Sequence, residues 1–153
     1  MNRIIVYLSL CSLGLFFVCG PAQQSSIEQR DAPSTLEAKV FELKDLPTLE
    51  IAPKATSQIF HSDSVMVSWL NMHPDAEIPN TMHWEEEIMI VLEGTVHQIL
   101  GGKQYDLKPG DVVLLPANLI HGGKAGPNGC RVIDIFYPIR RDYLEKLTAQ
   151  VKK

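Results

Sequence analysis

The sequences PNTMHWEEEIMIVLEG (residues 79–94) and GDVVLLPANLIH (residues 110–121) decide the fold. Each contains an apolar run of strand length. The first run ends at Glu93-Gly94 and the second at Pro116, residues that commonly end strands. A histidine lies just outside each run. Short β-strands closed by turns, rather than helices, are therefore predicted for this half of the chain.

His83 precedes the first run, Glu87 lies at its start, and His121 follows the second run. On a straight strand His83 and Glu87 would lie about 13 Å apart, at about 3.3 Å per residue. They can share a metal ion only if the chain turns at residues 84–86, and the residues there allow a turn. We predict that these three side chains converge on one metal site.

The rest of the chain has the same short-strand character. Residues 64–72 alternate well between two faces. The Gly-Gly pair at 101–102 and the Lys108–Asp111 segment supply the residues that two tight turns need. The predicted strands cover residues 38–43, 64–72, 88–92, 95–100, 103–107, 112–115 and 131–137.

Only the end of the chain has a helical period. In residues 140–151, apolar side chains recur at positions 143, 144, 147 and 151. Closely spaced antiparallel strands followed by one helix predict an all-β fold, a single-domain β-barrel or jelly roll with a short C-terminal helix. Barrels of this kind often hold a small-molecule ligand in their mouth.

The N-terminal residues are predicted to lie outside the folded domain. The apolar run over residues 4–18 has the length of a signal-peptide hydrophobic region and is short for a bilayer span. Cleavage after Ala22 and lipidation of Cys19 both stay open, so residues 1–22 are a signal peptide or a lipoprotein signal that ends before Cys19. Either reading predicts export to the periplasm or the cell envelope, with no transmembrane span after processing and with a lipid anchor in the second case.

Residues 23–35 are polar and are predicted to form a flexible linker or tether, which leaves residues 36–153 as the barrel domain. After processing, Cys130 would be the only free thiol, and we expect it to be a half-buried structural residue. The net charge of −4 does not indicate the basic surface that nucleic-acid binding needs.

The two quoted stretches resemble the two conserved motifs of the cupin superfamily. The resemblance covers about residues 58–145 and implies a small β-barrel that carries a metal site. Small cupins commonly pair, so it also implies a homodimer. The matching positions are His83, Glu87 and Gly94 in the first motif and Gly110, Pro116 and His121 in the second.

The sequence departs from these motifs at three positions. Thr81 stands at the first histidine of motif one, Asn118 at the glycine of motif two, and Ala125 at its closing asparagine. The resemblance therefore implies two histidines and one carboxylate rather than three histidines and one. That set leaves open coordination positions, as in non-haem Fe(II) sites, and it also suits Mn, Zn or Ni. Thr81 is expected to bind the substrate, to contact a bound water or to act as a weak metal ligand.

Residues 132–144 resemble the last strand and helix start of the KdgF-like cupins, which promote ring opening of 4,5-unsaturated uronates in pectin and alginate breakdown. The resemblance implies that Asp134 and Arg140 are catalytic and that Phe136 binds substrate. Strand alternation places Asp134 and Phe136 on one face, as a shared pocket requires. The alternative is a structural ion pair between Asp134 and Arg140 that closes the barrel.

Three functions stay open at this point: an exported metal-dependent enzyme on a sugar acid such as an unsaturated uronate, an Fe(II)-type dioxygenase, and a non-catalytic sugar-binding cupin. The remaining histidines do not discriminate among them. His61 and His73 are expected at the surface, and strand parity alone does not say whether His97 faces the interior.

Overall fold

The structure is a computed structural model and describes residues 37–151. The predicted signal segment and nearly all of the predicted linker lie outside the described residues. Within them, a 3₁₀ turn at Leu43–Asp45 precedes eight strands and one helix. These are β1 (Thr48–Ala52), β2 (Ala55–His61), β3 (Met66–Met72), β4 (Glu77–Thr81), β5 (Glu86–Leu100), β6 (Lys103–Leu107), β7 (Val112–Leu115), β8 (His121–Tyr137) and α1 (Arg141–Val151).

The eight strands form one continuous hydrogen-bonded sheet that folds into two layers, and β5 and β8 are long because each runs through both layers. The first half of β5 pairs with the C-terminal half of β8, and its second half, Val96–Leu100, pairs with the N-terminal half, His121–Ala125. We call the group that contains β1, β2, β3, β7 and the first pairing the first sheet. The second sheet contains β4, β6 and the second pairing. All pairings are antiparallel, and the two sheets form the predicted barrel.

Two bulges separate the halves of β5. The register with β8 shifts between Val91 and Glu93 and again between Gly94 and Val96. Residues 87, 89 and 91 are buried before the bulges, whereas residues 96 and 98 are buried after them. The bulges therefore reverse the phase of the inward-facing side chains.

A close backbone crossing accompanies the bulges. Gly94 has φ +70°, and a Cβ there would overlap the carbonyl oxygen of Gly129. Gly129 has φ +75°, and a Cβ there would lie 2.5 Å from the carbonyl oxygen of Met72. Only glycine fits both the positive φ and this approach.

The core has two adjoining parts. The larger lies between the sheets and includes Leu70, Met72, Met89, Val91 and Leu115. The smaller lies beneath α1, where Tyr143 packs with four strand residues. Those four are Leu49, Ile59, Met66 and Phe136.

Most of the sequence-based prediction is confirmed. The all-β barrel, the two tight turns and the C-terminal helix are present, and both glycines of the 101–102 turn have positive φ. The prediction of a strand at Ala38–Leu43 is wrong, since residues 37–42 have no regular structure. Cys130 is more buried than expected, with 4% of its surface exposed, and burial raises the pKa of its thiol to about 11. Within residues 37–151 no helix is long and apolar enough to cross a membrane.

The crossing at Gly94 generates a stability prediction. Gly94→Ala should lower the free energy of unfolding by about 2–4 kcal/mol, because the new Cβ meets backbone that cannot move away. Gly102→Ala is the matched control, since Gly102 also has positive φ (+83°) but a Cβ added there would have nothing within 4 Å of it. It should cost about 1 kcal/mol. Urea denaturation measures both, and equal losses would contradict the prediction.

Candidate metal centre and cavity

His83, Glu87 and His121 converge as predicted. One ligand atom from each lies within 4.8 Å of the others. Glu87 Oε2 is 3.1 Å from His83 Nε2 and 3.7 Å from His121 Nε2. Ligands held at about 2.1 Å from one ion lie roughly 3–4 Å apart, so an ion fits among these atoms after small movements.

The hydrogen bonds of the two imidazoles also fit a metal ion. His83 Nδ1 contacts the carbonyl oxygen of Glu85 at 3.1 Å, and His121 Nδ1 contacts that of Leu119 at 2.8 Å. With Nδ1–H donating to these carbonyls, both Nε2 lone pairs point into the site, the arrangement commonly seen for metal-bound histidine. A neutral His83 has one N–H, but each of its ring nitrogens lies against an oxygen atom, Nδ1 against the Glu85 carbonyl and Nε2 against Glu87 Oε2. An ion bound between Nε2 and Glu87 would remove the need for a second N–H.

The three candidate ligands lie on different parts of the fold. Glu87 lies on the first half of β5, where it faces Phe136 across the β5–β8 ladder. His121 begins β8 in the second sheet. His83 lies in the connection from β4 to β5, and the chain bends at Trp84–Glu85, which confirms the predicted turn.

Glu85 is a buried carboxylate that the sequence argument did not single out as a site residue. Its Oε2 lies 3.4 Å from His83 Nδ1 and 3.7 Å from Arg140 Nε, yet has no hydrogen-bond partner within residues 37–151. These are charge contacts without hydrogen-bond geometry. Glu85 therefore connects the metal centre electrostatically with Arg140.

A cavity of about 430 Å³ opens beside the three ligands. Its wall combines apolar core residues with polar groups from both sheets and from α1. The structure brings all four residues predicted outside the metal set to this wall. They are Thr81, Asp134, Phe136 and Arg140.

Asp134 is buried next to the metal centre. Its Oδ2 accepts a hydrogen bond from Ser68 Oγ at 3.3 Å, and Ser68 contacts Ser57 Oγ at 2.6 Å. Its Oδ1 has no partner among the described residues. Burial raises the pKa of the Asp134 carboxyl well above its usual range, and the nearby charge of Glu87 raises it further.

Arg140 lines the cavity, and its guanidinium contacts one carboxylate and two aromatic rings. It donates to both carboxylate oxygens of Asp142, at 2.9 and 2.8 Å, and packs over Tyr143 at 4.3 Å and Phe136 at 5.3 Å. Burial is the largest single effect on the pKa of Arg140 and acts to lower it, but the bonds to Asp142, together with the electrostatic effects of Tyr143, Asp142 and Glu85, leave that pKa raised. Within residues 37–151 the ion-pair partners of Arg140 are Asp142 and Glu85, so the alternative of an Asp134–Arg140 ion pair is wrong.

The other polar candidates differ in whether they face the cavity or the outside of the barrel. Thr81 pairs with His121 between β4 and β8 and is exposed at the cavity. His97 faces outward and bonds to Asp106 at 2.6 Å. His61 and His73 are exposed, as expected.

Residues 68–136 match the family model of the cupin domain. The barrel has the cupin fold. No curated protein matches this sequence.

Several solved structures share this fold. KdgF from Halomonas sp. is 25% identical with a TM-score of 0.64, over 69% of this chain and 98% of that one. An RmlC-like cupin from Shewanella frigidimarina is 24% identical with a TM-score of 0.63, over 69% and 96%. A salicylate 1,2-dioxygenase mutant from Pseudoaminobacter salicylatoxidans is 13% identical with a TM-score of 0.54, over 57% and 28%. At these identities the last two show the shared fold alone.

Sequence reasoning missed several polar residues of the cavity wall, namely Ser68, Gln98, Asp142, Tyr143 and Lys146. The helical residues had a usable signal. Asp142 and Lys146 are four residues apart, so they lie on one face of α1 together with Tyr143. Ser68 and Gln98 had no such signal, because strand alternation does not by itself tell which phase faces inward.

The metal centre generates a direct prediction. His121→Ala should weaken Zn²⁺ binding about 100-fold or more, because two ligands of the three are left. His97→Ala is the matched control, since that imidazole is exposed and faces away from the ligand set. Chelator competition on the purified protein measures both affinities. Equal affinities for the two variants would show that the three residues do not form the site.

Proposed function

We propose that this cupin is an exported, metal-dependent enzyme that opens the ring of a 4,5-unsaturated uronate. The observation that carries the proposal is the common cavity of two residue groups. Glu87 and His121 of the ligand set line the same cavity as Asp134, Phe136 and Arg140, the three positions at which the chain resembles KdgF-like cupins. His83 completes the ligand set beside Glu87 and His121. The similarity to KdgF from Halomonas sp. supports this choice of substrate class.

The chemistry suits these residues. Ring opening breaks the bond between C1 and the ring oxygen, takes a proton from the C1 hydroxyl and delivers one to C4, so it needs no oxidant or further reactant. A bound divalent ion would supply a Lewis acid that polarises a substrate oxygen. Asp134 could hold and move a proton at Oδ1, the oxygen left without a partner among the described residues.

Arg140 suits the role of carboxylate clamp. A guanidinium has five N–H donors, and Asp142 accepts two of them. The remaining donors are free to bind the carboxylate at C6 of a uronate. The Phe136 ring lies beneath the guanidinium and limits its motion.

This proposal predicts that the protein removes the ultraviolet absorbance of an unsaturated monouronate, because ring opening destroys the conjugated double bond. Arg140→Ala should lower the rate about 10- to 100-fold through the lost charged hydrogen bonds. Arg140→Lys should recover only part of it, since lysine lacks the planar fork. Arg131→Ala, which removes an exposed arginine paired with Glu93, is the matched control. Metal-loaded protein without any absorbance loss would refute the uronate function, whereas full activity of Arg140→Ala would refute only the clamp.

A second candidate function is oxygenation. Two histidines and one carboxylate with open positions are the donor set of non-haem Fe(II) oxygenases, and Thr81 in place of a third histidine favours it. Oxygen uptake by Fe(II)-loaded protein, together with unchanged uronate absorbance, would select this function. The non-catalytic alternative requires that neither signal be found.

Export is part of the proposal and concerns residues outside the structure. The processed protein should begin at Gln23, or at a lipid-modified Cys19. Mass spectrometry of the mature N-terminus distinguishes these forms, and an intact Met1 would contradict both.

We also propose that the cupin pairs with a second copy through the outer face of its first sheet. Two rows of outward side chains cross β3, β8, β5 and β7 there, and every member is apolar. An exposed face of this kind marks an interface, and a two-fold dimer needs only a face that complements itself. The rows are Val67, Ile135, Ile88 and Leu114, and Trp69, Ile133, Ile90 and Val112.

Sedimentation should therefore find a dimer in solution. Leu114→Glu should convert it to a monomer that keeps its metal affinity, because the substitution places a charge in the apolar face. Leu114 is 59% exposed, and Ile120→Glu alters a side chain of similar exposure, 53%, outside the two rows. A monomeric wild type, or a Leu114→Glu dimer, would contradict this interface.

A further inference from the structure

Gln98 is a buried polar side chain with no structural partner among the described residues. It lies on the second half of β5, is 6% exposed and forms part of the cavity wall. Within residues 37–151 its amide makes no hydrogen bond. Fully enclosed side-chain atoms without a partner occur in this part of the chain only at Glu85 and Asp134. The amide of Gln98 is therefore open to the cavity, and it is available to a ligand.

The neighbouring strand is shaped to hold this amide. Gln98 pairs with Gly123 of β8, and a Cβ at Gly123 would lie 2.5 Å from Gln98 Oε1. A larger residue at 123 would displace the amide. Gly122 next to it makes the same kind of room for Asn80, whose Oδ1 would lie 2.6 Å from a Cβ at Gly122. Two glycines thus allow two amide side chains to lie flat against β8.

The position of Gln98 complements the rest of the cavity. Asp134 belongs to the first sheet, and Arg140 follows that sheet at the start of α1, whereas Gln98 belongs to the second sheet. A ligand between the sheets would meet charged groups on one side and a neutral amide on the other. An amide both donates and accepts hydrogen bonds, which matches hydroxyl groups better than a carboxylate.

We propose that Gln98, seated over Gly123, forms a subsite that binds the hydroxyl groups of a polyhydroxylated acid whose carboxylate lies at Arg140. This inference rests on the proposed function and names the part of the cavity that selects a sugar acid over a plain carboxylic acid. Burying a hydroxyl-bearing ring beside an unpaired amide gains a hydrogen bond, whereas burying a ring without hydroxyls leaves that amide unsatisfied.

The test compares two ring acids by calorimetry on the metal-loaded protein. D-galacturonate carries hydroxyl groups, and cyclohexanecarboxylate is a six-membered ring acid without them. The wild type should bind D-galacturonate more tightly. Gln98→Leu should weaken D-galacturonate binding about five- to tenfold and leave cyclohexanecarboxylate binding and metal affinity unchanged. Its melting temperature should not fall, because the amide has no partner within residues 37–151 to lose.

Two further variants sharpen the test. Gly123→Ala keeps the amide but displaces it, so it should weaken D-galacturonate binding in the same direction. Gln104→Leu removes an exposed glutamine on β6 and should change neither affinity. Equal D-galacturonate affinity in wild type and Gln98→Leu would overturn the subsite alone and leave the proposed function standing. Absence of D-galacturonate binding by metal-loaded wild type would overturn the subsite, while the absorbance assay decides the proposed function separately. Equal binding of the two acids would overturn the subsite while keeping a carboxylate site.

Discussion

The pairing of β5 with β8 is the constraint on which the rest of this domain depends. Both strands run through both sheets, so one ladder of hydrogen bonds joins the two layers and fixes their spacing. The ends of β8 carry His121 and Phe136, and the bend of the ladder brings these distant positions to one cavity. The ladder can bend only because Gly94 and Gly129 allow the backbones to approach where a side chain would not fit.

The electrostatics of the cavity follow from this enclosure. Glu85, Glu87 and Asp134 are three buried carboxyl groups, and Arg140 is the buried cation that faces them. Removing several acids from water is unfavourable unless cations or protons compensate for their charge. A divalent ion among Glu87 and the two histidines would supply part of that compensation, and the raised pKa of Asp134 supplies another part. The same residues that oppose folding of the site therefore make it suited to bind a cation.

Local signals made part of this structure predictable. The turn at residues 84–86, the glycine turns and the helical period of residues 140–151 each depend on a few neighbouring residues, and each is present. Strands β1, β2 and β4 were not predicted, because their segments are partly polar and lack a clear alternation, and β4 is held by pairing with the distant strand β8. The facing of His97 and Gln98 could not be predicted either. Without bulges, position 97 would continue the inward phase of residues 87, 89 and 91. No residue in the sequence predicts that the inward-facing positions change from odd to even numbers.

That reversal gives the domain a simple route to divergence. Loss of the bulge at unchanged chain length would restore the original phase and exchange the two faces of the strand segment that follows. His97 would then enter the cavity and Gln98 would leave it, while His83, Glu87 and His121 lie outside the exchanged segment. A family of such barrels could acquire new ligand preferences through the gain or loss of one bulge, with the framework of His83, Glu87 and His121 unchanged.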